Sequence, residues 1–178
     1  RVTRTGTDGR RQVLSFLFPG NFVGLTATGT YFFSVEAVTP ARIACCPRQL
    51  LEALLLVSGN DAANTLATML GGSDVAVAKM NAKAALLGAY GTNAGSPSGI
   101  DGPGIDIWST PHDLAVIFRS AMSYPVFAQI TAQPTALFPT KTGNTVLLNQ
   151  NELLHRYPGT LGGKTGYTDD AGQTFVGA

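Results

Sequence analysis

Gln49-Leu50-Leu51-Glu52-Ala53-Leu54-Leu55-Leu56-Val57-Ser58-Gly59-Asn60-Asp61-Ala62-Ala63 is where the character of the chain changes. Gln49 to Val57 has the composition of an apolar helix, Ser58-Gly59-Asn60 breaks it, and Asp61 to Leu70 resumes helical spacing until Gly71-Gly72 ends it. On the N-terminal side the pattern is one of short strands. Gln12 to Phe18, Phe22 to Leu25, Tyr31 to Val38 and Ala41 to Cys45 are apolar runs set apart by Gly, Thr and Pro, with Pro19-Gly20-Asn21 as a turn. This predicts a piece of antiparallel β-roll or barrel.

On the C-terminal side helices come first. Ser73-Asp74 predicts a cap for a helix running to about Leu87, with Gly88 at its end. A Gly/Pro/Ser-rich loop fills residues 91–109. Thr110-Pro111-His112-Asp113 is a helix start, with Thr as N-cap and Pro at the first helical position, and Leu114, Ile117, Phe118 and Ala121 mark its buried face. A short helix follows Pro125. Strands are expected around Leu137, Val146–Leu148, Lys164–Thr165 and Thr174–Val176. The class is therefore α+β: a helical lobe and an incomplete antiparallel sheet, preceded by a short β-roll fragment.

The 178 residues are 44% hydrophobic and 13% charged with a net charge of +1, which fits one domain, or one domain with part of another. That charge argues against a general nucleic-acid binder. Two cysteines exclude a disulfide scaffold or a Cys-rich zinc site; the adjacent Cys45-Cys46 are expected as strand thiols with one face buried. The longest apolar runs, Ala53–Val57 and Leu114–Phe118, fall far short of the ~18–20 residues of a transmembrane helix. No signal-peptide core follows Arg1, and the chain reads as a fragment. Residues 1–50 carry a net +4, all basic groups being Arg, while residues 51–178 carry −3 and both histidines. His112 is expected on the surface of a first helical turn and His155 in a loop, so neither a His-based triad nor a metal site is expected.

Three short elements of the second part carry chemistry: Ser58-Gly59-Asn60 at the helix break, the loop ending Pro97-Ser98-Gly99-Ile100-Asp101, and Gly162-Gly163-Lys164-Thr165-Gly166-Tyr167-Thr168. A second triplet, Lys141-Thr142-Gly143, precedes Asn144 and a strand and is read as a hairpin turn. In order and spacing the elements match the Ser-x-Asn and Lys-Thr-Gly motifs of penicillin-binding serine peptidases. The stretch 51–178 resembles the low-molecular-mass D-alanyl-D-alanine carboxypeptidases, in Leu56–Ala63, Lys79-Met80-Asn81, Thr110–Phe118, Asn149-Gln150-Asn151-Glu152-Leu153-Leu154 and Tyr157–Thr168.

The resemblance implies catalytic roles for Ser58, Asn60 and Lys164. Ser58 would pass a proton toward the leaving amine, Asn60 would hold a substrate carbonyl, and Lys164 would place positive charge beside Ser58. Thr165, Gly166, Tyr167 and Thr168 would bind substrate, Thr165 by hydrogen-bonding the terminal carboxylate and the Tyr167 N–H as an oxyanion donor. The Gly162-Gly163 pair would let substrate backbone approach closely. The implied substrate is a peptidoglycan stem peptide ending in D-Ala-D-Ala, with β-lactams as acylating inhibitors of the intact family, no cofactor or metal, and a parent enzyme in the cell envelope. Class A β-lactamases share the motifs but need a deacylating Glu before Lys-Thr-Gly. Glu152 stands instead in the Asn-x-Asn-x-Leu-Leu stretch typical of the carboxypeptidases.

No Ser in the sequence is followed three residues later by Lys. The family's Ser-x-x-Lys supplies the attacking hydroxyl and its base, and losing both typically lowers turnover by about 10⁶-fold. The chain is expected to be inactive. Residues 1–50 resemble the end of the cyclic-nucleotide-binding β-roll of Crp/Fnr-type regulators, in Gly9–Leu25 and Ser34–Arg42. That resemblance implies an alternative, a non-enzymatic regulator or binding module. Asn21 and Phe33, however, stand where nucleotide-binding members carry an acid and an Arg, leaving phosphate without a bidentate partner. The junction between the two patterns is expected near Arg48–Leu55.

Overall fold

The structure, a computed structural model, describes residues 1–18, 23, 33–41, 43 and 45–178. It falls into two units, Arg1–Ile43 and Ala44–Ala178. The described residues of the first unit form an antiparallel three-stranded sheet of β1 (Val2–Thr5), β2 (Arg11–Ser15) and β3 (Ser34–Val35), in the order β2-β1-β3. The β1–β2 turn is closed by the Gly6 N–H on the Arg10 carbonyl (2.9 Å) and by Asp8, whose Oδ1 accepts from the Arg10 N–H (3.0 Å). Val2 and Thr3 are buried, and Glu36 takes both Arg1 (3.0 Å) and Arg11.

The strand expected over Gln12–Phe18 is Arg11–Ser15; of that expected over Tyr31–Val38, Ser34–Val35 is strand, and Tyr31 and Phe32 lie outside the described residues. β1 escapes a hydrophobic-pattern reading because Thr3, Arg4 and Thr5 are polar; it is defined by its ladders to two neighbours. Ala41, Ile43, Cys45 and Cys46 lie outside any strand. Pro40 and Pro47 flank them, and proline cannot donate to a ladder. Both thiols are free, Cys45 exposed and Cys46 half-buried, with burial pushing the Cys46 thiol up. The turn at Pro19-Gly20-Asn21 and the strand Phe22–Leu25, Val23 aside, lie outside the described residues.

The second unit runs α1 (Arg48–Val57), α2 (Asn60–Met69), α3 (Ser73–Leu86), α4 (Pro111–Met122), α5 (Pro125–Thr131), β4 (Thr135–Thr140), β5 (Gly143–Leu148), α6 (Leu153–Arg156), β6 (Gly163–Thr168) and β7 (Gly172–Gly177). The strands form two antiparallel hairpins, β4–β5 and β6–β7. Helix α1 packs on α2, α5 and the β4–β5 hairpin, and α4 packs on α5 and β7. The core gathers where these meet: Leu56 and Ile130 are fully enclosed, and Phe118 meets Phe127 edge-on at 5.7 Å. Each such aliphatic side chain contributes about 1.5–3 kcal/mol on burial.

Thr110 caps α4 as expected, its hydroxyl accepting from the Asp113 N–H (3.1 Å). Asp113 is itself buried and accepts from the Gly91 N–H (2.7 Å) and the Thr92 hydroxyl (3.2 Å), which ties the loop after α3 to the start of α4. The hydrogen bond with exposed His112, followed by those from Gly91, Thr92 and Thr110, holds its carboxyl below the usual carboxylate range against the opposing effect of burial. Asn81 grips the same loop at Ala94, through its N–H and carbonyl (2.7 and 2.9 Å). Two local expectations are corrected. Ser73 is the first helical residue of α3, with Gly72 at the cap and no side-chain capping bond. His155 belongs to the short helix α6, whose first turn is set by Asn151 accepting from the Leu153 N–H (3.1 Å).

Candidate active site

Helix α1 ends abruptly. Ser58 takes a left-handed conformation (φ 57°, ψ 41°) and is the one non-glycine residue with positive φ among those described. For a residue with a Cβ this costs on the order of 1–3 kcal/mol, and such strain concentrates where a side chain must be presented in a particular direction. Gly59 follows because a Cβ there would stand 3.0 Å from the Ala53 carbonyl oxygen, which accepts the Gly59 N–H at 2.9 Å. Asn60 opens α2, exposed and with no side-chain hydrogen bond among the described residues.

Strand β6 faces this break. The Lys164 ammonium donates to Ser58 Oγ at 2.8 Å and to the Thr165 carbonyl at 2.5 Å, joining residues 106 positions apart in sequence. Lys164 is half-buried and pairs with no carboxylate among the described residues; desolvation lowers its pKa below the ordinary lysine value. The arrangement can therefore do two things. Charged, the amine presents positive potential to an anion at the β6 edge. Neutral, it accepts the Ser58 proton.

Thr165 donates its hydroxyl to Gln150 Oε1 at 3.2 Å, so its single proton is engaged within the chain. Tyr167 and Thr168 serve the β6–β7 turn. The Tyr167 hydroxyl donates to Asp169 (3.2 Å), and the Thr168 hydroxyl accepts from the Ala171 N–H (3.1 Å). Gly166 lies beneath Thr174, whose hydroxyl oxygen would be 2.6 Å from an added Cβ. Ser58, Lys164 and Thr165 thus converge, with Asn60 two residues on from Ser58, while the side chains of Tyr167 and Thr168 are engaged within their own hairpin.

The Gly162-Gly163 pair has a packing reason that the sequence did not reveal. Both glycines are buried. A Cβ on Gly162 would lie 2.5 Å from Thr131 Oγ1, and one on Gly163 would lie 2.7 Å from the Phe175 ring and 2.8 Å from Asn151 Nδ2. Close packing of β6 on the end of α5 and on Asn151 requires them. Lys141, by contrast, sits exposed in the two-residue turn between β4 and β5, as expected.

Gln150 was not singled out as a site residue by the sequence. Its N–H and Nε2 donate to the carbonyls of Leu56 (3.0 Å) and Val57 (3.3 Å), the last two residues of α1. Its neighbour Asn149 is buried and donates to the Thr131 and Gln133 carbonyls (3.2 and 2.9 Å). The available signal was a polar Asn-Gln-Asn triplet directly after an apolar strand.

Two families match the chain, and their matches overlap over residues 32–58. A family described as D-alanyl-D-alanine carboxypeptidase matches residues 32–178, and one described as a cyclic nucleotide-binding domain matches residues 1–58. The D-alanyl-D-alanine carboxypeptidase DacB2 of Mycobacterium tuberculosis is 70% identical over 131 residues, covering 74% of this chain and 45% of that protein. The D-alanyl-D-alanine carboxypeptidase of a Streptomyces species (strain K15) is 40% identical over 142 residues, 72% of this chain and 48% of its own length. Among solved structures, a D-alanyl-D-alanine carboxypeptidase from M. tuberculosis superposes with a TM-score of 0.71 at 62% identity, over 82% of this chain and 59% of that one. Penicillin-binding protein D2 of Listeria monocytogenes, solved with cefotaxime bound, gives 0.65 at 39% identity over 73% and 52%. The chain spans about half the length of the curated relatives it matches.

Proposed function

Because the chain belongs to the D-alanyl-D-alanine carboxypeptidase family, we propose that residues 51–178 form the substrate-receiving half of a serine-type D-Ala-D-Ala carboxypeptidase site, acting on peptidoglycan stem peptides in the bacterial cell envelope. The observation that carries this is the Lys164–Ser58 hydrogen bond at 2.8 Å, which joins the two motif segments across the α1–α2 break. Lys164 supplies charge for the terminal carboxylate, Thr165 supplies a hydroxyl once released from Gln150, and Ser58 relays the proton toward the leaving amine. Asn60, with no side-chain hydrogen bond among the described residues, is available to a substrate carbonyl.

Acyl-enzyme chemistry needs a nucleophile and its base, and the sequence contains no Ser-x-x-Lys. Residues 1–178 therefore receive the peptide, and β-lactams that imitate it, without turning it over. Intact-mass measurement after incubation with benzylpenicillin tests this: the expected result is unmodified mass, with no D-Ala released from a D-Ala-D-Ala peptide. A stable adduct on any serine overturns it.

Residues 1–50 we read as a separate β-roll module. The family match over residues 1–58 favours a nucleotide-sensing ancestry, whereas Phe33, in place of an Arg, argues against retained phosphate binding. Filter binding with labelled cyclic nucleotide decides between them, and retention on the filter would restore the regulator reading.

A further inference from the structure

We propose that Gln150 is a positioning residue of this site, clasping the Ser58 turn to strand β6 and so setting the separation of Ser58 from Lys164; the inference rests on the functional reading above. Five groups close a ring. Gln150 holds the Val57 carbonyl, Val57 is bonded to Ser58, Ser58 receives the Lys164 amine, Lys164 is bonded to Thr165, and Thr165 returns its hydroxyl to Gln150. The ring has just two covalent links, so three hydrogen bonds keep the two segments together.

The Lys164–Ser58 bond alone is a weak tether, because a typical hydrogen bond contributes only about 0.5–1.5 kcal/mol net. Gln150 adds rigidity because its own backbone is fixed from two sides. Its N–H caps the Leu56 carbonyl at the end of α1. Asn149 anchors the preceding residue to the end of α5, while the Asn149 N–H reaches the Pro134 carbonyl (2.9 Å) and its Oδ1 accepts from the Asn151 N–H (2.9 Å). The carboxamide is the group this position demands, since one end must donate to a carbonyl and the other must accept from a hydroxyl. Glutamate would keep the acceptor and lose the donor.

The experiment is a pH titration of the Lys164 ε-CH₂ signal by NMR in the full chain carrying ¹³C-labelled lysine, compared among wild type, Gln150→Met and Gln150→Ala. Methionine preserves length and bulk while removing both side-chain hydrogen bonds, which keeps the test usable if the alanine variant does not fold. The expected result is a wild-type amine that titrates below the ordinary lysine range and an upward shift of about half a pH unit or more in the variants, as the freed amine reaches water. Wild-type and variant midpoints that coincide, both lowered, overturn the positioning role and leave the functional reading standing. An unshifted wild-type amine shows Lys164 to be solvated instead of half-buried against Ser58, and overturns both statements.

Discussion

The chain contains Lys-Thr-Gly twice, and the two copies have different fates. Lys141-Thr142-Gly143 sits at the tip of the β4–β5 hairpin, where Gly143 takes a φ of 138° and Lys141 points to solvent. Lys164-Thr165-Gly166 lies along β6 with its lysine turned against Ser58. Each hairpin pairs six residues with six in unbroken register, so local strand structure does not separate them. What separates them is the placement of the triplet within the hairpin and what that hairpin packs against. Two buried glycines let β6 lie close to Thr131, Asn151 and Phe175, and this brings Lys164 over the end of α1. The tripeptide is a motif only because its surroundings make it one.

That contrast can be broken most severely at the glycines. Gly162→Ala drives a Cβ against Thr131, which cannot retreat because its hydroxyl is already held by the Phe127 and Ala128 carbonyls (3.0 and 3.2 Å). We expect a loss of about 3 kcal/mol or more in urea unfolding from overpacking and backbone strain together. Gly143→Ala meets nothing within 4 Å, and only backbone strain, about 1 kcal/mol, remains. Equal losses at the two positions would show that β6 is not packed as described.

Binding sharpens the comparison at an intermediate scale. Lys164→Met is expected to weaken association with a D-Ala-D-Ala peptide by about 10- to 100-fold, the size of a lost charged hydrogen bond. Lys141→Met should leave it unchanged in isothermal titration calorimetry. The smallest effect concerns pH. Burial lowers the Lys164 pKa, so the unfolded chain binds more protons between that lowered value and the ordinary lysine value, and stability rises with pH across that window. Lys164→Met should flatten this rise in thermal melts, and Lys141→Met should not.

Much of the second unit was legible in its residues. Ser-Gly-Asn after the five apolar residues Ala53–Val57 marks a helix break, Thr110-Pro111 marks the start of α4, and Gly88 marks the end of α3. The convergence of Ser58 with Lys164 was legible only through motif order, since nothing local in either segment points at the other. Gln150 was not legible, because its role depends on two carbonyls 93 and 94 positions away, and exposed glutamine carries no pattern of its own. The packing of the glycine pair against Thr131 and Asn151 was not legible either, because both contacts are distant in sequence. In the first unit, β1 was missed because polar strands lack the alternation that reveals half-buried ones, and Cys45–Cys46 show that apolar composition between prolines does not make a strand.

Ser58, Lys164 and Thr165 are proposed to receive a D-Ala-D-Ala terminus together. Amide-resolved NMR of the 178-residue chain, titrated in parallel with an acyl-D-Ala-D-Ala peptide and its L-Ala-L-Ala counterpart, tests it most directly. The account predicts saturable shifts confined to residues 57–60, 150 and 163–167 with the D-peptide, and little change at Lys141 or with the L-peptide. Equal responses to both peptides, or shifts that avoid Ser58 and Lys164, would contradict it.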